Sequence, residues 1–259
     1  MALLGRLQGG AARHGEVLGA RPCVPPGLRV YAIGDIHGRL DLLEALHDSI
    51  RADAEAHASE RRELVYLGDY VDRGSASKQV IDTLIEQPLD GFEAVHLMGN
   101  HEFFLHRFLD DPEIGDVWLM NGGETTLQSY GIEPWDDPPH GRERLDWLSE
   151  RFNEVLPESH RRFLDDLRLS YELGDYLFVH AGVRPGVPLD QQDPDDLIWI
   201  REPFLRSEGG FGKLVVHGHT PDVNPVQRSN RICVDTGACY GGRLTALVLQ
   251  ADGRDFLQA

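Results

Sequence analysis

Carboxylate, imidazole and amide side chains recur in five short motifs, each directly behind an apolar run. These are Gly34-Asp35-Ile36-His37-Gly38, Gly68-Asp69-Tyr70-Val71-Asp72-Arg73-Gly74, Gly99-Asn100-His101-Glu102, His180-Ala181-Gly182 and His217-Gly218-His219-Thr220-Pro221. Oxygen and nitrogen donors of these types suit divalent Mn, Fe or Zn. Any one motif reads equally well as turn material, because Gly-Asp and Asn-His are common in loops. Five in order, each behind a strand candidate, leave coincidence a remote explanation. Six candidate ligands exceed one tetrahedral site, so two ions fit better than one. A carboxylate between two ions can bridge them at about 3.5–4 Å, and Asp69, from the middle of the first three motifs, is the natural bridge. Such a pair polarises phosphoryl oxygens and activates water for in-line attack. Arg73 adds a forked grip on phosphate oxygens that lysine does not offer. The chemistry implied is phosphoryl hydrolysis.

These residues need a scaffold that delivers strand ends to one rim. Leu28–Ile33 is short, apolar and rich in β-branched and aromatic residues, as a buried strand would be. Leu40, Leu43, Leu46, His47 and Ile50 follow with helical spacing. Leu64–Leu67 repeats the strand signal, Val80, Ile81, Leu84 and Ile85 mark a second helix, and Phe92–Met98 is a third strand. This β-α-β-α-β order predicts a parallel sheet with ligands outside the carboxyl ends of its strands. Further strands are predicted at Leu177–Val179, Leu214–Val216, Ile232–Val234 and Leu244–Leu249. Residues 1 to about 27, without periodicity, read as a flexible N-terminal tail. The span from 28 to 259 then reads as one domain with a helical insertion over about 110–168.

The chain has 259 residues, enough for one large α/β core, and 43 acidic against 25 basic side chains give it a formal charge of −18. A surface that acidic opposes long nucleic acids and membrane headgroups unless a local cationic site reverses the field. Three cysteines, Cys23, Cys233 and Cys239, argue against a disulfide framework or a cysteine zinc site, and no apolar run is long enough for a membrane helix. A reducing cytoplasm is the expected compartment. No P-loop, GxGxxG after a strand, HExxH or GxSxG occurs, which removes those enzyme classes.

Taken together, GDIHG, GDYVDRG, GNHE, HAG and GHT, in this order, resemble the PPP family of metallophosphatases, which includes bacterial protein serine/threonine phosphatases and diadenosine tetraphosphate hydrolases. The likeness spans roughly residues 29–245. It implies an α/β fold of the calcineurin-like metallophosphoesterase type, two mixed β-sheets packed as a sandwich flanked by helices, so the parallel reading is expected to hold at best for the first half. By that resemblance Asp35 and His37 bind a first divalent metal, Asp69 bridges, and Asn100, His180 and His219 complete a second site. Mn is the expected metal, with Fe or Zn as alternatives. His101 is implied as the general acid and Asp72 as its orienting partner. Arg73, Arg201, Asn100 and Tyr240 are implied as phosphate contacts. His217 is expected to face a different environment from His219, and Arg243 is either a third anion contact or surface charge. The implied activity is phosphomonoester hydrolysis on a phosphoprotein. Symmetric cleavage of diadenosine tetraphosphate or another small phosphate ester is the alternative, and the segment around Trp118–Thr125 is expected to line the cleft that decides. A nuclease-type phosphodiesterase fits less well, since Pro221 stands where such enzymes usually carry a further histidine. An inactive binding module is disfavoured because no ligand position is lost.

Overall fold

The computed structural model describes residues 21–86, 89–135, 139, 141 and 143–259. Strand β1 (Leu28–Ile33) is buried along its whole length, as its apolar run requires. Its one charged member, Arg29, is neutralised where it lies, by Asp53 at 2.7 Å and the Tyr31 hydroxyl at 2.9 Å. From β1 the chain alternates through α1 (Leu40–Ala56), β2 (Arg61–Tyr66), α2 (Ser77–Glu86), β3 (Phe92–His96) and α3 (Asn100–Phe108). A helical stretch follows, with α4 (Gly115–Trp118), α5 (Glu124–Ser129), α6 (Glu143–Val155) and α7 (Glu158–Asp165). The second half contains β4 (Ser170–Leu173), β5 (Tyr176–Val179), α8 (Pro194–Trp199), α9 (Glu202–Leu205), β6 (Leu214–His217), β7 (Val226–Gln227), β8 (Arg231–Cys233), β9 (Thr245–Gln250) and β10 (Gly253–Gln258).

Two five-stranded sheets result, in the orders β10-β9-β1-β2-β3 and β4-β5-β6-β8-β7. Each has a parallel centre, β1–β2–β3 in one and β5–β6–β8 in the other, with antiparallel strands added outside. The sheets are therefore mixed. Alternation along each strand sends residues to two faces. Val30, Ala32, Val65 and Leu247 meet Tyr176, Phe178, Val216 and Ile232 between the sheets. Tyr31, Ile33, Tyr66 and Val248 point the other way, onto the helices of the first half, and Leu177, Val179 and Val215 pack under α8 and α9 around Phe204. Each fully buried aliphatic or aromatic side chain contributes roughly 1.5–3 kcal/mol, so this three-layer core holds the strand ends rigidly.

Of the expected tail, residues 1–20 lie outside the described residues. Arg21–Gly27 form no helix or strand, yet Val24 is 2% exposed and part of the inter-sheet core. Its N–H donates to Ala251 O at 3.0 Å, the Cys23 N–H donates to Asp175 at 2.9 Å, and the Tyr176 hydroxyl donates to Pro22 O at 3.1 Å. One apolar side chain and its backbone bonds suffice to dock a segment that shows no periodicity. Among the described residues no helix is long and apolar enough to cross a membrane.

Candidate active site

The carboxyl ends of β1, β2 and β3 share one rim, and those of β5, β6 and β8 close on it from the second sheet. Close approach there depends on missing side chains. A Cβ on Gly99 would collide with Asp69, and one on Gly68 (φ 100°) would strike the backbone of Gly99. Six non-glycine residues among those described have left-handed φ, and five are motif residues: His37, Asp69, Asp72, Arg73 and His219. Conformations that cost about 1–3 kcal/mol each persist where the surroundings over-determine them, and they cluster at functional sites.

Asp69 is the hub. Its Oδ1 lies 3.4 Å from His180 Nε2 and accepts the His101 N–H at 3.1 Å, while its Oδ2 lies 3.5 Å from His37 Nε2. His180 Nε2 is also 3.0 Å from Asn100 Oδ1 and 3.2 Å from His219 Nδ1. His37 and His180 each point Nδ1 at a backbone carbonyl, Val71 O at 2.8 Å and Leu67 O at 2.9 Å. That carbonyl fixes the proton on Nδ1 and leaves Nε2 an acceptor on the Asp69 side, which in His37 takes an N–H of Arg73. Burial keeps both imidazoles neutral by lowering their pKa, His37 to about 3, and it lowers His219 to about 2. Donor atoms of His180, Asn100, His219 and Asp69 thus converge within a few ångströms of one another, an arrangement that suits a divalent cation. Asp35 sits beside this group and accepts the His219 N–H at 3.1 Å. Burial, then the carboxylates of Asp235 and Asp69, push its pKa well above the ordinary value. Burial also works against the Asp69 carboxylate, but the surrounding imidazoles, His180 first, outweigh it and hold the pKa low.

His101 faces the same centre from the start of α3. Its Nδ1 lies 2.6 Å from Asp72 Oδ2, and its Nε2 is 3.9 Å from Asp69 Oδ2. Burial disfavours the imidazolium, yet Asp69 and the Asp72 hydrogen bond raise the pKa above its ordinary value. Asp72 is itself fully buried and accepts from Trp118 Nε1 at 3.0 Å and Thr126 Oγ1 at 2.6 Å. A cavity of about 170 Å³ opens over the centre, lined by Asp69, Arg73, Asn100, Arg201, His219 and Tyr240 among others. Arg73 holds its guanidinium 2.5 Å from His37 Nε2 and 5.4 Å from the centroid of the Tyr240 ring. Arg201 donates to Thr220 Oγ1 at 3.2 Å. Asn121 also lines the cavity, and Gly122 O accepts the Arg73 N–H, so the Trp118–Thr125 segment does border it.

The match to known proteins follows this geometry. The family model of calcineurin-like phosphoesterases matches residues 28–244. The chain belongs to that family. Among its relatives, an asymmetrical bis(5'-nucleosyl)-tetraphosphatase PrpE of Anoxybacillus flavithermus is 31% identical over 236 residues, covering 83% of this chain and 88% of that one. The namesake of Bacillus thuringiensis is 30% identical over 237 residues with the same coverage. Among solved structures, a candidate diadenosine tetraphosphatase superposes with TM-score 0.60 at 21% identity, over 89% of this chain and 93% of that one. A cold-active protein tyrosine phosphatase gives 0.54 at 19% identity, over 91% and 81%. These two show the fold.

Calcineurin-like phosphoesterases use two metal ions, and the donor set here fits such a centre: two groups of potential ligands share Asp69, namely His37, Asp69 and His101, and Asp69, His180 and His219. His217 belongs to neither group. Its ring packs edge-on against Phe204, with Arg231 at 3.4 Å. Two contributors escaped the sequence reading. Glu102 accepts four backbone N–H groups, from Asp69, Tyr70, Val71 and Gly99, and so splints the loop that carries Asp69. Asp235, behind β8, is 4% exposed, lines the cavity and adds a third carboxylate beside Asp35 and Asp69. Both had a signal in the chain: Glu102 closes the GNHE motif, and Asp235 stands just behind a strand, as Asp35 and Asp69 do.

Proposed function

We propose that this phosphoesterase hydrolyses a phosphoanhydride of dinucleoside tetraphosphates, asymmetrically, to a nucleoside monophosphate and a nucleoside triphosphate. The observation that carries the hydrolytic reading is the convergence of Asp69, Asn100, His180 and His219 beneath a small cavity rimmed by Arg73 and Arg201. The substrate class is supported by relatives of 30–31% identity named for that activity. The phosphoserine or phosphothreonine substrate expected from the motifs would use the same centre, but those relatives favour the nucleotide.

Asp35, His37 and Asp69 would hold one divalent ion, and Asp69, Asn100, His180 and His219 the other. Two such ions polarise phosphoryl oxygens and lower the pKa of water towards neutrality. Arg73 and Arg201 orient the phosphate oxygens by charge-assisted hydrogen bonds. His101, turned by Asp72 and kept cationic by two carboxylates, donates the proton on Nε2 to the departing oxygen. With Mn²⁺ added, diadenosine tetraphosphate should give AMP and ATP in equal amounts. A phosphopeptide hydrolysed with the higher kcat/KM, or two ADP as the product, would overturn the assignment.

A further inference from the structure

The cavity over the metal centre is large enough for a phosphoryl group and little more. Directly beside it, and sharing Pro221 and Tyr240 with it, lies a second cavity of about 770 Å³. That volume falls in the range of about 300–1,000 Å³ typical of sites for nucleoside-sized ligands. Two of the few large hydrophobic side chains exposed on the described surface, Val223 (85%) and Tyr240 (66%), both line it. Tyr240 is presented by a turn whose ends, Gly237 (φ 71°) and Gly241 (φ 82°), are left-handed. The polar edge is built rather than incidental. Arg243 donates to Gln258 Oε1 at 3.0 Å, and Gln258 Nε2 donates in turn to Thr245 Oγ1 at 2.8 Å, which fixes both side chains at the cavity wall. Asp222, also in the cavity wall, supplies an acceptor.

We propose that this second cavity is the subsite for a nucleoside of the substrate, its base stacked on Tyr240 and packed against Val223, with Arg243 and Asp222 at its polar edge. The proposal rests on the nucleotide reading above and says where the nucleotide is recognised. Tyr240 links the two cavities, since it lines both and its ring also faces the Arg73 guanidinium of the phosphate pocket. A flat, aromatic group with donors and acceptors on its rim matches an aromatic platform, one aliphatic contact and a mixed polar edge. Stacking of a base on an aromatic ring is sequence-tolerant, so adenine and guanine nucleotides should both be accepted.

The test uses the full chain with Mn²⁺ and two exposed positions outside the metal centre, Val223→Glu and Arg243→Ala. Three readings are compared: turnover of diadenosine tetraphosphate, turnover of para-nitrophenyl phosphate, and inhibition of the latter by AMP and by inorganic phosphate. Each variant should raise KM for the dinucleotide and the inhibition constant of AMP by about tenfold. Para-nitrophenyl phosphate turnover and inhibition by inorganic phosphate should stay within about twofold, because neither ligand carries a base. Unchanged nucleotide parameters, a parallel loss on para-nitrophenyl phosphate, or AMP no better an inhibitor than phosphate would overturn the subsite. If the wild type leaves the dinucleotide intact while AMP inhibition responds to both variants, the activity proposed above fails and the subsite stands. If the dinucleotide is cleaved and the variants behave as wild type, the reverse holds.

Discussion

Asp69 combines a left-handed backbone, two separately engaged carboxylate oxygens and four imidazoles within its field, so its replacement is the sharpest probe of the centre. Asp69→Asn would put a neutral amide in place of the carboxylate that the two groups of potential ligands share. Metal content should fall along with turnover, by more than about 100-fold in kcat/KM, read by elemental analysis beside a para-nitrophenyl phosphate assay. Full metal loading with near-normal turnover would show that Asp69 does not hold the ions. His101 separates from it cleanly. Although His101 lies within one group of potential ligands, its bond to Asp72 makes it the proton donor, so in His101→Ala metal content should hold while kcat drops about 10²–10⁴-fold on an alkyl phosphate and much less on an aryl one, whose leaving group needs little protonation. Equal losses on the two substrates would argue against the acid role.

The elements that position these residues were legible to different degrees. The strands read from sequence include the parallel centres of both sheets, because strands covered on two faces leave an uninterrupted apolar run such as Tyr176–Val179. Those that escaped, Ser170–Leu173, Val226–Gln227 and Gly253–Gln258, are all sheet edges, half-exposed, short or polar, and so carry no such run. The motifs drew attention to Asp35, His37, Asp69, Asn100, His180 and His219 because each stands just behind an apolar run. What they did not announce is the support from the helical stretch: Trp118 of α4 and Thr126 of α5 reach Asp72 from residues far along the chain, and no local spacing records that contact. Its consequence is testable. Trp118→Phe preserves the ring packed on Phe108 and Phe152 but removes the N–H to Asp72. An orienting carboxylate that loses one of its donors should hold His101 less well, lowering kcat by about 10-fold with metal content unchanged. Wild-type kcat in that variant would mean that Thr126 and the backbone suffice.

At the scale of the whole molecule, acid stability follows from imidazoles that the core keeps neutral. His47 of α1 is 3% exposed, with Nε2 2.8 Å from the Tyr66 hydroxyl, and His96 of β3 is stacked on the Tyr66 ring. Burial lowers both to about 4. In the unfolded chain each takes a proton near its ordinary value of about 6.5. Between those limits the unfolded state binds more protons than the folded one, so these two sites contribute stability above about pH 6.5 and lose it progressively as pH falls towards 4. Each does so at up to about 1.4 kcal/mol per pH unit. Asp235, pushed up to about 6 by burial, acts with the opposite sign over part of the same range. A single substitution isolates the histidine contribution from it. Urea unfolding of His47→Gln at pH 7 and pH 5 should show a smaller loss between the two than the wild type does, by on the order of 1–2 kcal/mol. The glutamine can still pair with Tyr66 but has no proton to take up. Identical losses in the two proteins would mean that His47 is protonated as readily inside the fold as outside it.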